Sequence, residues 1–395
     1  MASMEPVVVG GEALTPSQVV AVARQMAPAR LDGGAALAVQ ESRAIVERHL
    51  GGDRAIYGLN TGIGALADAR IPPEELEQLQ GNIIRSHAAG AGELLPVEVV
   101  RSMMLLRART LAAARSGIRL EVVERLLELL NRGIHPAVPS RGSVGASGDL
   151  APLAHIALAL IGEGRVLTED GRTEPAADAY RRADLAPLEL RAKEGIAMIN
   201  GTEGMVALGV LARHDAAILL KGADIGAAMT IEASLGTDRP FAEDLMALRP
   251  HPGQAASAAN LRRILAGSPI IASHRDSTHA VQDPYSMRCA PQVHGAVRDV
   301  YTFLGEILGR ELGSVTDNPV VLPDGRVESA GNFHGEPLAY GLDFLAVGLT
   351  GQAVEVLTEA GTRTPTVVLK QEAQKLTGRY TSQLGEAAVT VTVAV

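Results

Sequence analysis

The chain has little of what is typical of secreted or nucleic-acid-binding proteins. Cys289 is the single cysteine among 395 residues, so no disulfide can form within the chain. There are 36 Lys and Arg residues against 45 Asp and Glu, a formal charge of −9 that leaves no basic field for nucleic acid. Residues 1–6 lack the basic and apolar regions of a signal peptide. We therefore expect a cytoplasmic protein that binds no nucleic acid.

Motifs for common cofactors are also missing from the sequence. There is no His-Glu-x-x-His motif and no cysteine pair, and the glycines of segment 58–64 differ in spacing from a dinucleotide fingerprint. There is no Walker A loop either. The apolar stretch 196–212 is interrupted by polar residues 200–203, which argues against an uninterrupted membrane helix. We expect no metal, no nucleotide and no membrane span.

Apolar and helix-forming residues, in contrast, are abundant. A hydrophobic content of 47% is enough for a large core. Thr15, followed by Pro and then Gln three residues on, is typical of a helix start, and Pro72-Pro73 begins another helix. Apolar residues in 120–130 recur at i, i+3, i+4 and i+7, which predicts a helix with one face in the core.

Strands are predicted only as short accessories. Asp170-Gly171 and Asp324-Gly325 each lie between short β-prone runs and predict small hairpins. The final residues accumulate Thr and Val, so that end is strand-prone or unpaired. We predict a mainly α protein with an N-terminal domain, a central helical domain and a divergent C-terminal tail, at residues 1–200, 201–355 and 356–395.

The most informative segment is Gly142–Ile156, which has Ala146-Ser147-Gly148 at its centre. Attack by the Gly148 nitrogen on the Ala146 carbonyl carbon closes a five-membered ring. Loss of two waters, one involving the Ser147 hydroxyl, leaves a methylene conjugated with a carbonyl. Asp149 is positioned to cap a following helix, whose positive end favours developing negative charge. Taken alone, the tripeptide is more often an ordinary loop before a capped helix.

The whole run resembles the signature of the ammonia-lyase family that includes histidine, phenylalanine and tyrosine ammonia-lyases. Members carry a 4-methylidene-imidazol-5-one (MIO) ring made from this tripeptide, and they have a large helical-bundle fold with a mixed α/β N-terminal region that bears the MIO loop. Further matches follow in the same order over roughly residues 10–355. They are Tyr57-Gly-Leu-Asn-Thr-Gly-Ile-Gly, Ser86-His-Ala-Ala-Gly, Asn200-Gly-Thr-Glu, Gln282-Asp-Pro-Tyr-Ser-Met-Arg-Cys, Thr316-Asp-Asn-Pro and Gly331-Asn-Phe-His-Gly-Glu-Pro.

The resemblance implies elimination of ammonia from an α-amino acid, and it implies roles for several residues. Tyr57 is the candidate general base, on a glycine-rich loop that can close as a lid. Arg288 suits a bidentate clamp on the substrate carboxylate. The alternatives are a packed turn tyrosine for Tyr57 and a surface ion pair for Arg288. The other implied positions are Asn200 and Tyr285 beside the ring, Gln282 at the substrate and lid, and Phe333 in the pocket wall.

His87 bears on the choice of substrate. The run Ser86-His87-Ala88-Ala89-Gly90 resembles the histidine-specific members, whereas phenylalanine and tyrosine enzymes carry Phe-Leu or His-Leu there. An imidazole in an apolar pocket needs a polar partner, and His87 offers one donor and one acceptor. It is also compatible with a helix-end histidine bound to a carbonyl. The expected reaction converts L-histidine to trans-urocanate; the alternative is a phenylalanine or tyrosine ammonia-lyase or aminomutase.

The sequence departs from the family after about Glu355. Members continue through a long helical section with a Gln-Glu-Asp-His-type segment, and Gln371-Glu372 lies in an unrelated context. A second alternative is therefore an inactive, C-terminally altered paralogue that lacks one pocket wall and acts as a partner of a complete lyase. The resemblance also implies a homotetramer with active sites shared among three subunits.

Overall fold

The structure is a computed structural model that describes residues 4–50, 52, 54–358, 366–372, 375–382 and 385–392. Helices dominate it, which confirms the predicted mainly α class. The described residues form two compact units. The predicted domain boundaries at residues 200 and 355 stay predictions. The first unit takes its residues from Met1–Leu211 and Ile307–Ala339, the second from Ala212–Glu306 and Tyr340–Val395.

A nearly wholly buried helix, α4, runs through the core of the first unit. Every residue from Val99 to Ala112 is buried, and the helix packs against α1, α2 and α5. The helices that begin in this unit up to residue 211 are α1 (Pro16–Arg24), α2 (Gly33–Leu50), α3 (Leu76–His87), α4 (Val97–Ala112), α5 (Leu120–Asn131), α6 (Leu150–Leu160), α7 (Ala176–Ala183), α8 (Glu194–Ile199) and α9 (Glu203–Ala233).

Short strands in the first unit join these helices in small sheets. Parallel pairing joins β1 (Val7–Val9) to β2 (Ala29–Leu31), and antiparallel pairing joins β3 (Ala91–Leu94) to β5 (Pro139–Arg141). The hairpins predicted at Asp170-Gly171 and Asp324-Gly325 are both confirmed. The remaining strands are β4 (His135–Pro136), β6 (Arg165–Leu167) and β7 (Thr173–Pro175) in one sheet, with β8 (Val320–Val321) and β9 (Val327–Glu328) in another.

The predicted helix starts are confirmed. Thr15 Oγ1 accepts from the Gln18 backbone N–H at 3.2 Å, and the Gln18 side chain accepts from the Thr15 N–H at 2.8 Å, which completes a capping box. Pro73 begins a single 3-10 turn that leads into α3. In α5 the predicted apolar stripe, from Val123 to Leu130, is buried.

The second unit has a core of its own, formed by α9, α11 and the segments around them. Phe241, Leu261 and Met287 are among its buried members. The antiparallel strands β10–β12 agree with the strand-prone pattern of the tail. The elements introduced with this unit are α10 (Glu243–Ala247), α11 (Pro252–Leu265), α12 (Pro269–Ser273), α13 (Tyr285–Arg288), α14 (Ala290–Glu311), α15 (Glu336–Thr358), β10 (Thr366–Glu372), β11 (Lys375–Ser382) and β12 (Gly385–Thr392).

One segment of the described chain, Glu194–Ala233, is long and apolar enough to cross a membrane by length and composition alone. Two features favour a core helix instead. The polar residues after Ile199 separate α8 from α9, as the sequence predicted, and 83% of the most apolar window is buried inside the protein. The break at residues 200–202 is also where the candidate site lies.

Candidate active site

The tripeptide Ala146-Ser147-Gly148 lies in a tight turn ahead of α6. The Gly148 N–H donates to the Gly145 carbonyl at 3.2 Å, so the chain folds back over Ala146 and Ser147 as in a β-turn. Gly145 and Gly148 have φ values of +74° and +75°, in the left-handed region where glycine is favoured. Ala146 is exposed and Ser147 half-buried, whereas Gly148 is buried.

Two other segments clamp this turn through their backbone. The Gly201 carbonyl accepts from the Asp149 N–H at 2.7 Å, and the Gly335 N–H donates to the Gly145 carbonyl at 2.7 Å. A Cβ on Gly148 would overlap the Gly201 carbonyl oxygen and lie 3.1 Å from the carbonyl oxygen of Phe333. The motifs that begin at residues 200 and 331 therefore form the walls of the turn.

The prediction that the Asp149 side chain caps α6 is wrong. Asp149 occupies the N-cap position of α6, but its carboxylate makes no capping bond there because its φ and ψ of −96° and 42° are not the extended values of a side-chain cap. Oδ2 instead accepts from the Met205 N–H at 2.9 Å, in the first turn of α9. Burial raises the pKa of Asp149 to about 6, against hydrogen bonds from Ser143 and Met205 and with a contribution from the nearby charge of Glu203.

Tyr57 lies in a loop that its neighbours anchor. Ile56 and Leu59 are buried in one cluster with residues of α2, β8 and β9. Tyr57 itself is half-buried, and its hydroxyl oxygen accepts from the Gly64 N–H at 3.4 Å. The loop is therefore held by apolar packing at both sides of the tyrosine, while the phenol stays accessible. Closure of this loop as a lid stays a prediction.

Asn200 connects the Tyr57 loop to the tight turn. Its Nδ2 donates to the Asn318 carbonyl at 3.0 Å. The next residue, Pro319, lies beside Gly58, where an added Cβ would be 3.4 Å from Pro319 Cδ. On its other side Asn200 precedes Gly201, which clamps the turn. Tyr57, Asn200 and the tripeptide thus belong to one continuous set of contacts in the first unit.

His87 ends α3 a few residues before β3. Its Nδ1 lies 2.8 Å from the Ile83 carbonyl, one helical turn back. This is the bond between a helix-end histidine and a carbonyl that the sequence analysis named as the alternative role of His87. With Nδ1 donating, a neutral ring keeps Nε2 as an acceptor. Pairing of Ala91 with Arg141 brings the chain that follows α3 beside the strand that leads into the tight turn. The role of His87 in substrate binding stays a prediction.

The second unit carries the other predicted site residues on one short stretch. Met287 is buried in that unit's core and anchors α13. The Arg288 Nε–H donates to the Asp283 carbonyl at 3.1 Å, and the guanidinium carbon lies 4.6 Å from the centroid of the Tyr285 ring. Tyr285 is 61% exposed, and Gln282 is exposed as well. Both present polar groups at the surface of this unit.

Sequence reasoning missed two ion pairs buried in the first unit. Arg107 Nη1 lies 2.7 Å from Glu203 Oε1, and Lys193 Nζ lies 2.8 Å from Asp317 Oδ2, with all four side chains at most 4% exposed. Burial lowers the pKa of Lys193 against the attraction of Asp317. A signal was present in the sequence, because an arginine such as Arg107 within the apolar run of α4 indicates a buried charge that needs a partner.

Comparison with known proteins places the chain in a family. The family model described as aromatic amino acid lyase matches residues 14–359. The chain therefore belongs to the aromatic amino acid lyase family. The histidine ammonia-lyase of Streptomyces coelicolor is 51% identical over 346 residues, which cover 88% of this chain and 68% of that protein. The histidine ammonia-lyase of Anaeromyxobacter sp. is 52% identical over 352 residues, with coverage of 87% and 69%.

Solved structures give the same picture. Tyrosine aminomutase from Streptomyces globisporus superposes with a TM-score of 0.83 at 37% identity, covering 90% of this chain and 70% of that one. Histidine ammonia-lyase from Trypanosoma cruzi gives a TM-score of 0.80 at 38% identity, with coverage of 89% and 66%. This chain spans about two thirds of the length of these relatives.

We predict that Gly148→Ala destabilises the protein more than Gly171→Ala does. Both glycines have left-handed φ values, of +75° and +78°, so each substitution carries a backbone penalty of about 1–2 kcal/mol. Only Gly148 also meets a neighbouring carbonyl, since no atom lies within 4 Å of an added Cβ at Gly171. Thermal unfolding of both variants measures the difference. Equal losses in Tm would contradict the close approach of Gly201.

We also predict that Asp149→Asn changes how stability depends on pH. The folded-state pKa of Asp149 is raised to about 6, above the unfolded value of about 3.9. The folded state therefore holds this proton more tightly, and its stabilising contribution is complete below pH of about 4 and is lost as the pH rises to about 6. Urea unfolding across this range should show wild type losing stability relative to Asp149→Asn as pH rises.

The exposed Asp170 is the control for that experiment. The pKa of its carboxyl is lowered by a hydrogen bond from Arg172, so its stabilising contribution is complete above a pH of about 4 and is lost only below that value. Asp170→Asn should therefore differ from wild type by a constant amount between about pH 4 and about pH 6. A difference between wild type and Asp149→Asn that stays constant across the window would show that the Asp149 carboxyl does not titrate as stated.

Proposed function

We propose that the chain eliminates ammonia from L-histidine and yields trans-urocanate, using an MIO ring condensed from Ala146, Ser147 and Gly148. The observation that carries the proposal is the clamped glycine-flanked turn at 145–148, in a chain about half identical to curated histidine ammonia-lyases. The identity supports the choice of amino acid.

The residues present fit an MIO ring. The Gly148 N–H is held inside the turn by its hydrogen bond to the Gly145 carbonyl. The Ala146 carbonyl, which it would attack, lies two residues earlier in the same turn. The walls at Gly201 and Phe333 leave no space for a side chain on Gly148. In the described part of the chain, no three His, Cys, Asp or Glu side chains are grouped to hold a metal ion. When formed, the ring supplies an electron-poor methylene that serves as the electron sink for the departing amine.

Ring formation balances without any co-reactant. The Gly148 nitrogen bonds to the Ala146 carbonyl carbon. The Ala146 oxygen leaves as water with the hydrogens of the Gly148 and Ser147 nitrogens. The Ser147 hydroxyl leaves as a second water with the hydrogen from the Ser147 Cα, which creates the methylene. No oxidant or reductant takes part.

Tyr57 is our candidate for the base that removes the substrate β-proton. Its hydroxyl oxygen is accessible, and the N–H of Gly64 points at it. In this proposal the phenol oxygen of Tyr57 takes up the proton that leaves the substrate. The buried flanking residues Ile56 and Leu59 hold the tyrosine in place without covering it. Loss of a proton from Cβ and of the amine from Cα then gives the double bond of the product.

Substrate recognition divides into two groups of residues. In the first unit, we propose that His87 Nε2 accepts a hydrogen bond from the substrate imidazole, that Asn200 orients polar groups beside the ring, and that Phe333 forms apolar wall. We also propose Arg288, with its neighbours Gln282 and Tyr285, as the clamp on the substrate carboxylate. Stacking on Tyr285 restricts the guanidinium before substrate arrives, so less entropy is lost on binding.

We propose a homotetramer in which subunits share their sites, as the family resemblance implies, and a cytoplasmic location. Long helices of the second unit support association, because they expose large apolar side chains. Phe303, Phe344 and Val347 are 45%, 52% and 72% exposed, and the two phenylalanine rings lie 6.0 Å apart. A contiguous apolar patch of this kind is typical of an interface between subunits.

We predict that peptide mass analysis finds residues 146–148 lighter by about 36 Da, the mass of two waters. Ser147→Ala removes the leaving hydroxyl, so it should keep the fold, lose the second dehydration and lose nearly all turnover. Ser140→Ala, on β5 just before the turn, is the matched control and should keep both mass loss and turnover. An unmodified wild-type peptide, or full activity in Ser147→Ala, would overturn the proposed chemistry.

We further predict turnover of L-histidine in preference to L-tyrosine and L-phenylalanine, followed as release of ammonia and of the conjugated acid. The TM-score of 0.83 with tyrosine aminomutase makes tyrosine the second candidate substrate. Formation of β-tyrosine or coumarate without urocanate would identify that alternative. A condensed peptide with no turnover of any of the three would favour a partner protein of another lyase, and mixing with a complete homologue would reveal the heteromer.

A further inference from the structure

A buried ion pair lies directly behind the wall of the tight turn. The Arg107 side chain is 0% exposed and that of Glu203 is 4% exposed. Arg107 Nη1 donates to Glu203 Oε1 at 2.7 Å and to the Asn200 carbonyl at 3.0 Å, and its Nη2 donates to the Ala197 carbonyl. One guanidinium on α4 therefore holds the last turn of α8, the break after it and the first turn of α9.

Gly201 is enclosed between this ion pair and the tight turn. A Cβ on Gly201 would overlap both Glu203 Oε2 and Arg107 Nη1. Its carbonyl points the other way, accepting from the Asp149 N–H at 2.7 Å and filling the space beside Gly148. If Arg107 and Glu203 moved, Gly201 would move with them and would change the space around Gly148.

Stability alone does not account for a charged pair at this place. Removing two charges from water costs about as much as their attraction returns, so apolar side chains of similar volume would serve a core equally well. Glu203 Oε2 is buried and has no hydrogen-bond partner among the described residues, so the pair is not even fully satisfied. What the guanidinium does provide is several directed bonds to backbone carbonyls from one rigid plane.

We propose that Arg107 and Glu203 are positioning residues for the condensation of Ala146, Ser147 and Gly148, a role that rests on the proposed function. The pair fixes the Gly201 carbonyl, and that carbonyl holds Asp149 and confines Gly148 from outside the turn. Confinement keeps the Gly148 nitrogen close to the Ala146 carbonyl carbon. Neither Arg107 nor Glu203 touches the reacting atoms.

The test follows condensation directly rather than activity. The whole chain is made by cell-free synthesis and sampled over time. Mass spectrometry of the peptide containing residues 146–148 then measures the fraction that has lost two waters. Arg107→Met removes all the directed bonds, and we expect condensation about a hundredfold slower, the scale of a misplacement of about 1 Å. Arg107→Lys keeps the charge but not the planar fork, and its rate should be intermediate.

Arg101→Lys is the matched control for loss of a buried arginine. Arg101 lies on the same helix, is 2% exposed, and donates to the carbonyls of Val22 and Leu130, away from the turn. It should lower Tm to a similar extent as Arg107→Lys while condensing at the wild-type rate. Equal condensation rates in the two lysine variants would overturn the positioning role.

Glu203→Gln keeps the test decisive if Arg107→Met does not fold. The amide preserves shape and an acceptor for Arg107 but removes the charge that balances it, so we expect a lower Tm and condensation slower than in wild type. Arg101→Lys, in contrast, should lower Tm without slowing condensation. A wild-type rate in Glu203→Gln would overturn the part assigned to that residue. Absence of condensation in the wild-type chain would instead refute the proposed function itself, so the two failures are distinguishable.

Discussion

The close approach of the Gly201 backbone to Gly148 is the contact on which the candidate site depends. The Gly201 carbonyl accepts from the Asp149 N–H and occupies the space where a Cβ of Gly148 would lie. Gly201 must also be glycine, because a Cβ there would overlap Glu203 Oε2 and Arg107 Nη1 on the opposite side of the wall. The contact also requires a rigid support behind each segment. α6 supports the turn, and the junction of α8 with α9 supports the wall.

Buried charges provide much of that support. Arg107 bonds to backbone carbonyls at the helix junction, and Lys193 pairs with Asp317, beside the Asn318 carbonyl that receives the Asn200 side chain. These charges are costly to bury, and a hydrophobic core would not need them. Their value lies in direction, because a hydrogen bond fixes the position of its acceptor more narrowly than apolar packing does. The first unit thus combines an apolar scaffold with a small number of directed polar contacts at the site.

The second unit also contains a buried charge that accepts several directed hydrogen bonds. Asp224 on α9 accepts hydrogen bonds from Ser257 and Asn260 on α11 and from His294 and Arg298 on α14. Burial alone would raise the pKa of Asp224, but these bonds together outweigh it and lower the pKa. One carboxylate therefore holds three helices in register, and the short helix that carries the proposed carboxylate clamp immediately precedes α14.

Features that depend on neighbours along the chain could be predicted from the sequence. The capping box at Thr15, the apolar stripe of α5, both hairpins and the Ala-Ser-Gly tripeptide are all patterns of residues a few positions apart, and motif resemblance supplied the candidate site residues. The partners of Asp149 and Arg107, in contrast, depend on how segments far apart in the sequence pack together. Arg107 and Glu203 are 96 positions apart, so no local pattern pairs them, and Asp149 turns to α9 because its backbone conformation and burial favour the N–H of another helix over its own. Local preferences determine where helices begin and end, whereas close packing determines which of their polar groups come into contact.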